Sequence, residues 1–185
     1  MSPLRESTVT RPLIITLSGK ARHGKDTAAE MLQTKLTEKG KRVLNIRYAD
    51  YLKYIVATYL GGSYERTPEN RSLWQHFGTE TVRARDEHFW VDTVIRLVKV
   101  LSDRFDYVLI PDVRFPNEIT RWLDEEFMVR TLHVTRTGFE NDLTAEQRAH
   151  ASETALDGFT FDRYLRAGTL EELAAEIDKT LDFVL

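Results

Sequence analysis

Residues Ile14 to Thr27 read I-I-T-L-S-G-K-A-R-H-G-K-D-T, and more follows from this stretch than from any other in the chain. A β-branched apolar run ends at Gly19, four residues intervene before Gly24 and Lys25, and a helical pattern starts at once. The spacing G-x-x-x-x-G-K, with a strand before it and a helix after it, is the layout of a phosphate-binding loop. Its glycines let main-chain N–H groups turn inward around a polyphosphate, and the new helix directs its positive end at the same charge. Lys25 then reaches the β- and γ-phosphates as a point charge. The segment Gly19, Lys20, Ala21, Arg22, His23, Gly24, Lys25, Asp26 and Thr27 is therefore expected to hold a nucleoside triphosphate.

The pattern departs from the strict motif at one position. Asp26 stands where a hydroxyl that meets Mg²⁺ is usual, and Thr27 supplies a hydroxyl one step later. In one reading Thr27 or the Asp26 carboxylate holds the metal, directly or through water, since Mg²⁺ accepts carboxylate oxygen readily. In the other, the loop is an ordinary strand-to-helix turn, and Asp26 is favoured simply by the helix N-terminus.

Composition sets the outer bounds. A chain of 185 residues suits one domain with a single sizeable core. Its 42% hydrophobic and 30% charged content is that of a globular protein. A net charge of −3 gives no bulk attraction to long nucleic acid. With no cysteine there is neither a disulfide framework nor a thiolate metal site. No apolar run approaches the roughly 20 residues that span a bilayer. Residues 1–12 lack a signal-peptide core and read as a disordered lead-in, so a cytoplasmic protein without membrane contact is expected.

Along the chain, Leu13–Leu17 reads as the first strand, followed by a helix from about Gly24 to Lys39 with Ala28, Ala29, Leu32 and Leu36 on its inner face. Gly40 ends that helix. Val43–Tyr48 reads as a second strand, and Asp50 opens a helix to about Leu60, broken by Gly61-Gly62. Thr67-Pro68 opens a helical region through about Arg85, and Trp90 to Leu101 is amphipathic again. Tyr107–Ile110 is a wholly apolar strand, as parallel sheets covered on both faces require. Pro116–Glu126 follows as a helix, Val129–Val134 as a strand, and Arg136–Glu153 as a polar segment of weak periodicity. An edge strand near Tyr164-Leu165 precedes a helix opened by T-L-E-E at Thr169. The alternation predicts a three-layer α/β/α domain over 13–185, with a mostly parallel five-stranded sheet whose ligands sit at the carboxyl ends of the strands.

The other candidate site residues fall at those ends. Asp112 follows the apolar strand, where phosphate-loop proteins carry the acid that holds Mg²⁺; a turn or cap aspartate is the plainer reading. Arg114, two residues on, suits a pair of phosphate oxygens, with a surface salt bridge as the plainer reading. Asp50 and Lys53, three apart at a helix start, can face one cleft, with Lys53 on an acceptor phosphate and Asp50 orienting the attacking group; an exposed ion pair is the alternative. Within W-Q-H-F-G-T-E-T-V-R-A-R, Gln75 can read a base edge and Arg83 a phosphate, while Trp74, Phe77, Phe89 and Trp90 read as core. His76 and His88 lack partners at metal-ligand spacing. Arg136 and Arg148 lie in the polar stretch 136–153, which fits a lid that closes over phosphates; a solvated loop is the plainer reading.

Taken in order, G-K-A-R-H-G-K-D-T, Y-A-D-Y-L-K, F-G-T-E-T-V-R, P-D-V-R-F-P-N-E and H-A-S-E resemble motifs of the phage-type deoxynucleoside monophosphate kinases, over about Leu13 to Leu181. A G-K-D-T loop is usual in that family. The resemblance implies a P-loop kinase fold and Mg²⁺-dependent transfer of the ATP γ-phosphoryl group to a deoxynucleoside monophosphate. Lys25, Asp50 and Arg114 would carry the transfer, acceptor-binding helices would occupy about 50–100, and a homodimer would be possible. His150 to Glu153 match a motif with no assigned role. Some relatives in that family phosphorylate 5-hydroxymethyluracil within DNA, so the chain's partner under this alternative is DNA. The third expectation, from a different class, is a nucleotide-binding switch without catalysis.

Overall fold

The computed structural model describes residues 11–185. Of the expected lead-in, residues 1–10 lie outside the described residues. Arg11 places its guanidinium over the Phe127 ring, 5.2 Å from the centroid.

The central sheet has five strands in the order β2-β3-β1-β4-β5. These are β1 (Leu13–Ser18), β2 (Val43–Asn45), β3 (Tyr107–Ile110), β4 (Val129–Arg136) and β5 (Arg163–Ala167), and every pairing is parallel. Alternation along the strands feeds two apolar layers. Ile15 and Leu17 of β1 and Leu109 of β3 face α1 (Lys25–Glu38) and α8 (Leu170–Val184), packing on Ala28, Leu32, Leu36, Ile177 and Leu181. Ile14, Val108 and Ile110 face the other way, onto α4 (Phe89–Val100) and α5 (Asn117–Asp124) through Val94, Ile95, Val98, Ile119 and Trp122. This is the expected three-layer α/β/α arrangement, and it sets the ends of β1 and β3, with their loops, side by side.

Several local expectations hold at the atomic level. Gly40 (φ 74°) terminates α1 in the left-handed region that suits glycine. Thr169 caps α8 by accepting from Glu172 N, and Thr67 caps α3 (Pro68–Gln75) by accepting from Asn70 N.

Others are corrected. The second strand stops at Asn45, not Tyr48, and α2 (Tyr48–Tyr59) begins two residues before Asp50. The cause is Asp112, whose two carboxylate oxygens accept the N–H groups of Tyr48 (3.1 Å) and Ala49 (2.9 Å) and draw the chain into a helix. Tyr48 is consequently buried as a helix residue; its hydroxyl accepts from Trp122 Nε1 (2.8 Å) and donates to Glu118 O (2.9 Å). The helical region expected to Arg85 is α3 followed by an eight-residue π-helix, His76–Arg83. At Gly78 the absence of a side chain lets this wider turn settle on Leu52, and the carbonyl accepts from Trp90 Nε1 at 3.0 Å. The fifth helix is trimmed to Asn117–Asp124. The polar stretch after β4 carries two short helices, α6 (Ala145–Ala149) and α7 (Ala151–Thr154), the first capped reciprocally by Thr144 and Gln147. No helix among the described residues is long and apolar enough to cross a membrane.

Candidate active site

The loop between β1 and α1 is shaped by backbone that side chains resist. Gly19 has φ 143°, and a Cβ there would lie 2.3 Å from Val134 O. Gly24 (φ 90°) turns the chain into α1 from the left-handed region, and Arg22 adopts φ 62° despite its side chain. Among the described residues, the main-chain N–H groups of Gly24, Lys25, Asp26 and Thr27 have no acceptor within the protein; Ala28 N, bonded to Gly24 O at 2.9 Å, is the first of the helix to find one. Four open amides at a helix N-terminus make a cradle for an anion.

Lys25 spans this cradle. Only 8% exposed, it donates from Nζ to Gly19 O (2.8 Å) and Lys20 O (2.9 Å). Burial, reinforced by the Arg114 charge, pulls its ammonium pKa down to about 7, against the opposing pull of Glu153, Asp26 and Asp112. A polyphosphate would supply the compensating charge that the loop carbonyls only partly provide.

The three candidate metal residues differ in what already occupies them. Asp26 Oδ1 accepts both Arg47 Nε (3.0 Å) and Nη2 (2.8 Å). Asp112 caps α2, and burial raises its carboxyl above the usual range against the lowering effect of the two amides it accepts. Thr27, on the first turn of α1, has a hydroxyl without a partner among the described residues. No group of three His, Cys, Asp or Glu able to hold a metal occurs among the described residues. That donor set fits a Mg²⁺ ion bound mainly by phosphate oxygens and water, with one or two protein ligands.

Beyond Arg114 opens a cavity of about 290 Å³, walled by Tyr48, Trp74, Trp90 and Phe115 and by the polar groups of Gln75, Thr79, Arg83, Asp112, Glu118 and Glu153. The π-helix supplies Gly78, Thr79 and Arg83 of this wall. Of the expected acceptor residues, the structure therefore brings together Gln75, Arg83 and Arg114. Asp50 and Lys53 do not share a cleft. Asp50 is exposed and accepts from Arg47 N (3.1 Å), while the Lys53 ammonium sits over the Trp74 ring, 5.3 Å from its centroid. Trp90 joins the core as expected, with Phe77 and Phe89 packed against it; Trp74 is outside that cluster and shares the cavity wall with Trp90.

Two residues that sequence reasoning passed over organise this wall. Glu118 Oε2 accepts Arg114 N (2.7 Å) and Phe115 N (3.1 Å), and Oε1 pairs with Arg83 Nη2. Arg83 Nη1 donates to Asn117 Oδ1 (3.0 Å), and its guanidinium lies 3.8 Å from the Phe115 centroid. Burial drives the Glu118 carboxyl up to about 7 in spite of Arg83. Both residues were spelled out in P-D-V-R-F-P-N-E, but only their position beneath the loop reveals the brace they form. Arg47, the partner of Asp26, gave no such signal.

The polar stretch after β4 folds back on the loop between β1 and α1. Arg136 N donates to His23 Nδ1 (3.3 Å), and its guanidinium packs on Phe139; Arg148 is exposed on α6. Further contact with the loop comes from acids: Asp142 pairs with Arg22 (2.6 Å), Asp157 with Lys20, and Glu153 accepts the N–H of Ala21 (3.0 Å) while pairing with Arg114 (2.6 Å). His150 caps α7 through Nδ1, which accepts Ser152 N at 3.2 Å.

No family model matches the chain, and no curated protein matches it. Solved structures do. The APS kinase CysC of Mycobacterium tuberculosis, as its Cys556Ala mutant, is 16% identical with TM-score 0.52 over 93% of this chain and 98% of that one. The same kinase in complex with AMPPNP and APS gives 14% and 0.56 over 94% and 98%. Shikimate kinase from Bacteroides thetaiotaomicron gives 13% and 0.52 over 93% and 98%. At such identities the likeness is one of fold: this chain has the parallel five-stranded α/β/α fold of those P-loop kinases.

Proposed function

We propose that this protein is a Mg-ATP-dependent phosphotransferase whose acceptor is a deoxynucleoside monophosphate bound in the aromatic-walled cavity. The observation that carries the reading is the position of Arg114. Its guanidinium reaches Gly19 O of the phosphate loop at 3.4 Å and also lines the cavity, so one cation would touch both donor and acceptor. The kinase fold and the ordered motifs support the same conclusion, and the binding of AMPPNP by a structural neighbour supports ATP as donor.

The division of labour follows from chemistry. Phosphoryl transfer passes through a loose state with charge spread over the equatorial oxygens, so positioning and electrostatics do most of the work. The amides of Gly24–Thr27 would hold the inner phosphates, Lys25 would move from its loop carbonyls to the transferring group, and Arg114 would meet it from the acceptor side. Thr27 would hold Mg²⁺, with Asp26 or Asp112 reached through water. The ion, when bound, neutralises charge between the outer phosphates. Gln75 and Thr79 would face the acceptor base between Trp74 and Phe115.

A second reading is favoured by one observation. Both cavity arginines are already paired, Arg83 with Glu118 and Arg114 with Glu153, and Asp112 adds a third carboxylate. Such a lining suits a neutral hydroxyl better than a dianion, as on 5-hydroxymethyluracil in DNA. The deciding experiment follows ADP release from Mg-ATP with each deoxynucleoside monophosphate, and with duplex DNA containing that base. Turnover on a monophosphate upholds the first reading. Turnover on the DNA alone replaces it with the second, and ATP binding without any turnover leaves a nucleotide switch.

A further inference from the structure

We propose that Glu153 acts as a built-in stand-in for the terminal phosphate of the nucleotide, so that a triphosphate must displace the protein's own carboxylate to bind fully. The proposal rests on the phosphate-loop reading above and adds to it a self-ligand. Glu153 Oε2 accepts the main-chain N–H of Ala21 at 3.0 Å, and Oε1 pairs with Arg114 Nη1 at 2.6 Å. Its side chain is only 10% exposed. An anion held by a loop amide and a guanidinium, beside the buried ammonium of Lys25, has the surroundings of a bound phosphate rather than of a surface acid.

The direction of the phosphate chain places the competition at the terminal group. The open amides lie at the helix end of the loop, Gly24–Thr27, and are fit to hold the inner phosphates. Ala21, in the first half of the loop, and Arg114, at the cavity mouth, are left for the outermost one. Glu153 lines the acceptor cavity as well as the loop groove, so it stands where donor and acceptor would meet.

The carboxylate is aimed, not accidental. His150 accepts Ser152 N and hydrogen-bonds the Ser152 hydroxyl at 2.9 Å, which starts α7 at the residue needed to turn Glu153 inward. Lys20 clamps the far side by donating to Glu153 O and Asp157. The H-A-S-E motif thereby acquires a physical role: its histidine and serine set the helix that carries the plug.

Mg-ATP and Mg-ADP titrations by calorimetry, on the full chain and on Glu153→Gln, test this. The variant keeps the shape of the side chain but loses the charge that competes. The expected result is ATP affinity rising about tenfold while ADP affinity changes less than about twofold, because only the triphosphate has to evict the plug. Unchanged or weaker ATP binding in the variant, with the full chain binding both nucleotides, overturns the plug and leaves the phosphate loop standing. Loss of ADP binding in the variant overturns it too, since Glu153 would then be a support of the loop. A full chain that binds neither nucleotide removes the loop reading itself.

Discussion

Lys25 shows what a single residue contributes to the site. Its ammonium is buried against the loop's own carbonyls, at the cost of a lowered pKa. Replacing it with alanine leaves the amides in place and removes the mobile charge. We expect kcat for Lys25→Ala to fall about 10²-fold or more; turnover close to normal in steady-state assays would detach Lys25 from the chemistry. Asp112 has two separable duties. As the cap of α2 it satisfies two N–H groups, and asparagine can accept only one of them while presenting its own donor to the other. Asp112→Asn should therefore cost about 1–2 kcal/mol in denaturant unfolding. If it also anchors the metal through water, the Mg²⁺ concentration for half-maximal turnover rises. A stability loss with an unmoved magnesium titration would make it a cap alone.

Among the elements, the brace formed by the π-helix, the loop after β3 and α5 has its own signature. Glu118 gains a proton more readily in the folded protein than in the unfolded chain, since burial lifts its pKa to about 7 from an ordinary value of about 4.3. Between those values the native state binds more protons, so this group's contribution to stability is largest at low pH and declines as pH rises toward 7. Glu118→Gln should erase that decline. Its stability relative to the parent should improve by on the order of 1–3 kcal/mol between pH 5 and pH 8, and parallel unfolding curves across that range would refute the raised pKa. This region was also the least legible in the sequence. The strand-turn-helix at Ile14–Thr27, the buried strand Tyr107–Ile110 and the caps at Thr67 and Thr169 were all readable, because each depends on residues adjacent in the chain. The π-helix was not, since the partner of Gly78 is Trp90 and its neighbour is Leu52. Nor was the short second strand, which ends because of Asp112. Asp50 and Lys53 had suitable spacing but different surroundings, a main-chain amide for one and an indole face for the other.

For the molecule as a whole, a nucleotide that binds only the folded form stabilises it by mass action. Mg-ATP at about 100 times its Kd should add about 2.7 kcal/mol, or roughly 5–10 °C in Tm for a chain of this length. Scanning calorimetry with and without Mg-ATP measures this, and an unmoved transition would count against the entire phosphate-loop assignment. The strand order carries a different consequence. β1 lies at the centre of the sheet, yet both its neighbours come late: Ile14 sits opposite Val108 on one side and Val129 on the other. At synthesis rates of about 5–20 residues per second, the ribosome needs roughly 5–19 s after making Ile14 to deliver even Val108, the earlier of the two partners. Throughout that interval the nascent I-I-T-L segment has no sheet to join. The apolar strand that leads into the β1–α1 loop is thus among the first pieces made and is sheltered only late, which leaves it open to chaperones on the growing chain.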